Sequence, residues 1–225
     1  MPGRLAGDVR SERLPGFGLP ALRGRPGGQQ GQVVVCTRTS WRAHNRQWQQ
    51  AHPGVRLLPL TEAGTHGEVI VNASAGAHSL AALEAAGAIN LAGKVLFDLT
   101  LPLDLSQGMP PTLLVANDDS LGEQIQRAYP EARVVKTLNT MGNEVMIHPE
   151  QIPGRHCVFM SGDNAEAKQL VAGMLESFGW PPDSIVDLGG IETARGTEMY
   201  LVLWIEIMQA RGDRMFNIAI AAPGG

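Results

Sequence analysis

"GEVIVNASAGAHSLAALEAAGAINLAGKVLFDLT" (residues 67–100) holds two short apolar runs with a helix-like segment between them. "GEVIVNAS" (67–74) centres on a β-branched run too short for a helix, so it reads as a buried strand. "HSLAALEAAGA" (78–88) is rich in Ala and Leu, ends on glycine, and reads as a short helix. "KVLFDLT" (94–100) is the next strand. Strand, helix and strand joined by short connections make the repeating unit of a parallel sheet.

The pattern extends in both directions. Upstream, "QVVVCT" (32–37) is a strand, and "TRTSWRAHNRQWQQAHPG" (37–54) is a loop followed by a short helix. Downstream, "LPLDLSQGMPPT" (101–112) is a Pro/Gly-bearing loop, and "DSLGEQIQRAYP" (119–130) is a helix capped by Asp119 or Ser120. "ARVVKTLN" (132–139), "HCVFMSGD" (156–163) and "SIVDLGG" (184–190) are strands. "AEAKQLVAGMLESFGW" (165–180) is an amphipathic helix, and "ARGTEMYLVLWIEIMQARG" (194–212) a long, largely buried one. This alternation predicts an α/β fold with a doubly wound, mostly parallel sheet.

The first 31 residues break the pattern. They contain eight glycines and four prolines, and no run of four apolar residues precedes Val33, so no first strand of a buried parallel sheet is visible there. Residues 1–60 carry nine arginines, no lysine and two acids, a balance of +7 within a chain of net charge −4. The segment reads as an Arg/Gly/Pro-rich, mobile arm. It contains "GFGLPA" (16–21), formally a G-x-G-x-x-A, but neither a strand before it nor a smooth helix after it. The alternative sets Gly16 and Gly18 against a pyrophosphate. The expected organisation is 1–31 atypical, 32–155 nucleotide-binding, and 156–225 completing the fold and the cleft.

Bulk composition excludes several classes. A modest negative charge gives no reason to expect nucleic acid as partner. The longest apolar run, "MYLVLWIEIM" (199–208), carries Glu206 and is far shorter than the ~20 residues that span a bilayer. Neither a secretory leader nor a close-spaced cysteine motif is evident; Cys36 and Cys157 stand apart, as in a reduced cytoplasmic protein.

In a doubly wound sheet, ligands bind beyond the carboxyl ends of the strands. That rule selects "TRTS", "NASAGA", "TLPLD" and "NTMGN", each small, polar or Pro/Gly-bearing. Thr37 and Arg38 stand where an NAD-binding chain usually places an acid, and a guanidinium there suits the 2′-phosphate of NADP. No side chains suggest a metal site or a catalytic nucleophile; His44, His52, His148 and His156 read as surface or loop residues, and His78 as a helix-start residue. Lys136 reads as a sheet-edge residue with a buried stem and exposed head, with a cofactor contact as the alternative. Asp98 caps a nearby loop or turns toward the cleft. Arg195 and Glu198 read as an i, i+3 pair, and Met199, Trp204 and Met208 as core, with lining of the cleft as the alternative.

The stretches "VNASAGAHSLAALEAAGAINLAGKVLFDLTLPLD", "DSLGEQIQRAYPEARVVKTLNTM", "VFMSGDNAEAK" and "RGTEMYLVLWIEIMQARGDRMFNI" resemble the NADPH-dependent deazaflavin reductases, which use coenzyme F-420. The similarity covers roughly residues 32–220 and is most specific at 119–141. It implies a Rossmann-type domain with a small C-terminal helical portion, NADP(H) as cofactor, and coenzyme F-420 (8-hydroxy-5-deazaflavin) as co-substrate in reversible hydride transfer. Such chemistry needs ring positioning rather than a side-chain nucleophile. By the resemblance, Thr37 and Arg38 contact the 2′-phosphate, and Ala73, Ser74 and Ala75 lie along the nicotinamide nucleotide. Leu101 and Pro102 form the next loop of the cleft, Asn139, Thr140 and Met141 flank the rings, and Phe216 and Asn217 reach the deazaflavin. Members often form homodimers, to which the apolar final helix is suited. The chain departs from the family at its start, where an intact strand and glycine fingerprint are expected. A shifted reading frame upstream of Gln32 would produce that break. A catalytically impaired binding member and an NADPH reductase acting on flavin or ferric iron are the other readings.

Overall fold

The computed structural model describes residues 20–22, 34–36, 50 and 56–223. One eight-stranded sheet runs through it, in the order β10-β9-β8-β5-β4-β1-β2-β3. The strands are β1 (Pro20–Leu22), β2 (Val34–Cys36), β3 (Arg56–Leu58), β4 (Val69–Asn72), β5 (Val95–Asp98), β8 (Arg133–Thr137), β9 (Val158–Ser161) and β10 (Ile185–Asp187). A separate hairpin, β6 (Leu103–Asp104) with β7 (Thr112–Leu113), lies inside the segment expected to be loop.

Strands β4, β5 and β8 are parallel and in strict register, with Ile70 beside Leu96 beside Val134. Because side chains alternate across a sheet, that row faces one side and the row Val71–Phe97–Val135 faces the other. The first row packs on α1 (Leu60–His66), α2 (Ser79–Ala86) and α4 (Leu121–Ala128), and on the start of α7 (Ala194–Arg211). The second row packs on α5 (Asn143–Ile147) and α6 (Ala165–Ser177) through Val145, Val171 and Leu175. Helix α3 (Ala88–Leu91) completes the first layer. The fold is the expected Rossmann-type α/β sheet with a C-terminal helical portion.

Besides the hairpin, β1, β3, α1 and the short helices α3 and α5 differ from the sequence reading. Strand β3 and helix α1 occupy a stretch in which no element was expected. Gly64 lowers the helical signal of "LTEAGTH", yet it lets α1 approach α2 closely: a Cβ there would lie 3.2 Å from the Asn90 Cβ and 3.3 Å from the Ala86 carbonyl. Residues 20–22, expected to lie outside the sheet, pair with both β4 and β2 and run antiparallel to each. Pro20 and Ala21 of "GFGLPA" are therefore in a strand, not at the start of a helix. The chain enters β1 at the carboxyl rim of β4 and leaves it at the opposite edge, so β1 cannot lead into a phosphate-binding turn on that rim.

Strand β9 runs antiparallel to β8 and returns its amino end to the same rim. Gly162 follows β9, where a Cβ would lie 2.6 Å from the Val134 carbonyl. Replacing Gly162 with alanine should push β8 and β9 apart and cost on the order of 1–3 kcal/mol, the usual penalty of overpacking. Urea unfolding checks this, and an unchanged midpoint would show that the junction is looser than described.

Candidate functional site

The carboxyl ends of β4, β5 and β8 carry a polar row one step beyond the apolar one. Asn72, Asp98 and Lys136 stand side by side in register and are buried. Asn72 donates from Nδ2 to Asp98 Oδ1 at 2.9 Å and to Ser79 Oγ at 2.7 Å. Lys136 pairs with Asp98 and, at 3.0 Å, with Glu198 Oε1 from α7. Its Nζ also donates to the Thr100 carbonyl at 2.6 Å. Glu198 in turn accepts from the Leu121 and Gly122 amides, at 2.8 and 2.9 Å, where the positive end of the α4 dipole lies.

Burial alone would lower the Lys136 pKa, and it is the largest single influence. Asp98 and Glu198 together outweigh it and hold the pKa above its ordinary value. Two expectations are corrected here. Lys136 is not at an edge with its head exposed, because β8 lies between β5 and β9 and α4 covers it. Arg195 and Glu198 do not pair with each other: Arg195 Nε donates to Glu123 Oε2 at 2.8 Å, while Glu198 turns inward to the lysine. A lone buried ammonium would be costly, so Glu198 pairs with the buried lysine rather than with the part-exposed arginine.

Above this floor, three strand-end loops share one rim. After β4, the Ser74 hydroxyl donates to Asn72 Oδ1 at 2.8 Å and ties Ala73–Ala75 to the polar row. After β5, Asp98 Oδ1 accepts from the Thr100 hydroxyl at 2.8 Å, which sets the turn into Leu101 and Pro102. These two loops touch at Gly76, where any Cβ would collide with the Leu101 carbonyl. After β8, Leu138 takes a left-handed conformation at φ +61°, a cost of about 1–2 kcal/mol for a leucine, offset by its burial in the second core. It delivers Asn139, Thr140 and Met141 to the rim, all buried. The Asn139 Nδ2 and the Thr140 hydroxyl find no hydrogen-bond partner among the described residues. Such orphaned groups are rare in folded proteins and concentrate at functional sites.

The C-terminal portion walls the rim. On α7, Leu201, Trp204 and Ile205 gather Leu101, Leu103, Tyr200, Met208 and Phe216 into a third apolar cluster. Phe216 stacks on Trp204 with ring centroids 5.4 Å apart. Asn217 donates from Nδ2 to His156 Nδ1 and to the Cys157 carbonyl, both at 2.9 Å, so its amide fastens the tail to the amino end of β9. His156, expected as a surface or loop residue, lies in a loop but is buried edge-on against Trp180 and contacts the Pro149 carbonyl. Arg214 pairs with Glu144 on α5, which brings the tail across the loop after β8.

The structure thus brings together Ala73, Ser74, Ala75, Leu101, Pro102, Asn139, Thr140, Met141, Phe216 and Asn217 along one rim and its wall. Thr37 and Arg38 lie outside the described residues; they follow β2, whose carboxyl end is on the same rim. The buried Asn72, Lys136 and Glu198 were missed as a unit, and the one available signal was a lysine inside an otherwise apolar strand. No group of three or more His, Cys, Asp or Glu side chains able to hold a metal occurs among the described residues, and no helix there is long and apolar enough to cross a membrane. A cavity of about 140 Å³ between α2 and α4, lined by Gly76, Leu80, Pro102 and Gln124, is smaller than the roughly 300–1,000 Å³ of ligand pockets.

Neither a protein-family model nor a curated protein matches the chain. Among solved structures, a protein from Arthrobacter sp. FB24 named as an F420-dependent NADP reductase is 49% identical, over 84% of this chain and 88% of its own, with a TM-score of 0.80. A hypothetical protein from Sinorhizobium meliloti (21% identical, 70% of this chain and 73% of its own) and an imine reductase from Pseudomonas sp. (19%, 80% and 54%) share the fold at TM-scores of 0.51. The rim geometry and the near-complete overlap with the Arthrobacter protein agree: the chain belongs to the F420-dependent NADP reductase family.

Proposed function

We propose that the protein transfers a hydride between NADPH and the deazaflavin coenzyme F-420. One observation supports this above the others. The segment Leu138–Met141, within the part of the sequence most like the family, stands between the Leu101–Pro102 loop and the aromatic tail, with buried polar atoms that find no partner among the described residues. NADPH supplies a hydride from its dihydronicotinamide, and the deazaflavin takes it up.

The protein's own contribution is positional. The backbone of Ala73–Ala75 and of Leu101–Pro102 offers a flat edge, because Gly76 removes the side chain where the two loops meet. Leu101 and the Trp204–Phe216 stack, which share one apolar cluster, would exclude water from the end where two rings face each other. Arg38, following β2, would pair with the 2′-phosphate and select NADPH over NADH.

A second reading has its own observation. Strand β1 fills the central slot of the sheet but runs antiparallel to both neighbours, so it supplies no turn for a pyrophosphate. An impaired member that binds the dinucleotide through its other loops would look the same. Anaerobic mixing with NADPH, followed by the absorbance of reduced deazaflavin, separates the readings. Turnover is expected. Binding without turnover would favour the impaired member, and turnover with flavin or ferric chelate alone would replace the acceptor. Arg38→Ala should weaken NADPH binding at least tenfold, about 1.4 kcal/mol, and leave NADH binding unchanged. Equal loss for both nucleotides would remove Arg38 from the phosphate site.

A further inference from the structure

We infer that Lys136 is a positioning residue for this cleft, fixing its loop wall and its helix wall at one ammonium group. For its catalytic consequence this rests on the oxidoreductase reading; the coupling itself rests on geometry alone. An ammonium has three protons and no acceptor, and here all three have a destination: Asp98, Glu198 Oε1 at 3.0 Å, and the Thr100 carbonyl at 2.6 Å.

Each acceptor belongs to a different part of the cleft. Thr100 is the backbone entry to Leu101 and Pro102. Glu198 is six residues before Trp204 on α7, in the helix that carries the Trp204–Phe216 stack. Asp98 is bonded to Asn72, which holds Ser74 in the loop after β4. Lys136 itself is three residues before Asn139. Four segments of the rim are therefore indexed to one atom.

The lysine is also sterically specified. A Cβ on Gly122 would lie 3.3 Å from the Lys136 Cε, so only a slim stem passes beneath α4. The branched fork of arginine has no room there, and its donors would diverge instead of converging on one point. An apolar side chain of the same volume would fill the space, but Thr100 and Glu198 would then have no common partner. Loop and helix could shift independently, and a displacement of about 1 Å at a reacting pair costs on the order of 100-fold in rate.

The test compares the wild type with Lys136→Met, and with Glu198→Gln as a second variant should the first fail to fold. Hydrogen exchange on the cofactor-free protein should show Leu103, whose amide bonds Leu101, losing protection together with the Leu121 and Gly122 amides that bond Glu198. Single-turnover hydride transfer per folded molecule, measured well below the melting temperature, should fall 10- to 100-fold in Lys136→Met. A purely structural lysine would lower the melting temperature and leave that rate unchanged, which overturns the inference. So would unaltered exchange at Leu103 in a folded variant. If the wild type transfers no hydride, the functional reading fails, and the exchange result alone decides the role of Lys136.

Discussion

A single lysine buried between two carboxylates organises this molecule. Lys136 faces Asp98 on the neighbouring strand and Glu198 on the last helix, all buried. One positive and two negative charges leave one negative charge inside the protein, where an isolated ion would cost several kcal/mol. The surplus is met by dipoles rather than ions: Asn72 and Thr100 donate to Asp98, and the first amides of α4 donate to Glu198. Through these donors and the two ion pairs, the network specifies where α4, α7 and three strand ends meet. An apolar cluster of equal size could be equally stable, but it would not fix that meeting point so sharply.

The same register that builds the core builds the rim of the candidate site. On β4, β5 and β8 the inward row is apolar at Ile70, Leu96 and Val134, then polar two residues later at Asn72, Asp98 and Lys136. One more step and each strand leaves the sheet as a rim loop. Polar side chains hold these loops from beneath, Gly76 lets two of them touch, and the left-handed Leu138 turns the third back toward them. The tail then crosses from α7 to β9 by way of Arg214, Phe216 and Asn217, so the last helix closes a cleft whose floor it also helps to hold.

Most of this was legible in the sequence where the signal is local. Short apolar runs marked β4, β5, β8, β9 and β10, and a cap at Asp119 or Ser120 (Ser120 in the structure) marked α4, because strand burial and capping depend on neighbours in the chain. The rim residues followed from the strand ends and from family likeness. What escaped notice depends on tertiary contacts. Gly64 weakens the helical pattern of α1 and is there for close packing on α2. Lys136 read as an edge residue, since nothing in "VVKTLN" reveals that Glu198, 62 residues on, comes to meet it. His156 read as a surface or loop residue, and its burial was missed because its partners, Trp180 and Asn217, lie far along the chain. The direction of β1 could not be read at all, because a three-residue strand carries no signal for parallel or antiparallel pairing.

The chain has only three lysines, at 94, 136 and 168, so their side-chain NMR signals can be followed individually in a pH titration. Lys94 is partly buried and pairs with no carboxylate among the described residues, and burial lowers its pKa below 10.5. Lys136 is more deeply buried, and its two carboxylates reverse that effect, so the stability it confers persists up to its unfolded pKa and is lost only as pH rises through the higher folded one. A Lys136 midpoint above 10.5, with Lys94 below it, is the predicted result. A Lys136 that loses its proton before Lys94 would contradict the account, because desolvation would then have won over the ion pairs that hold the cleft together.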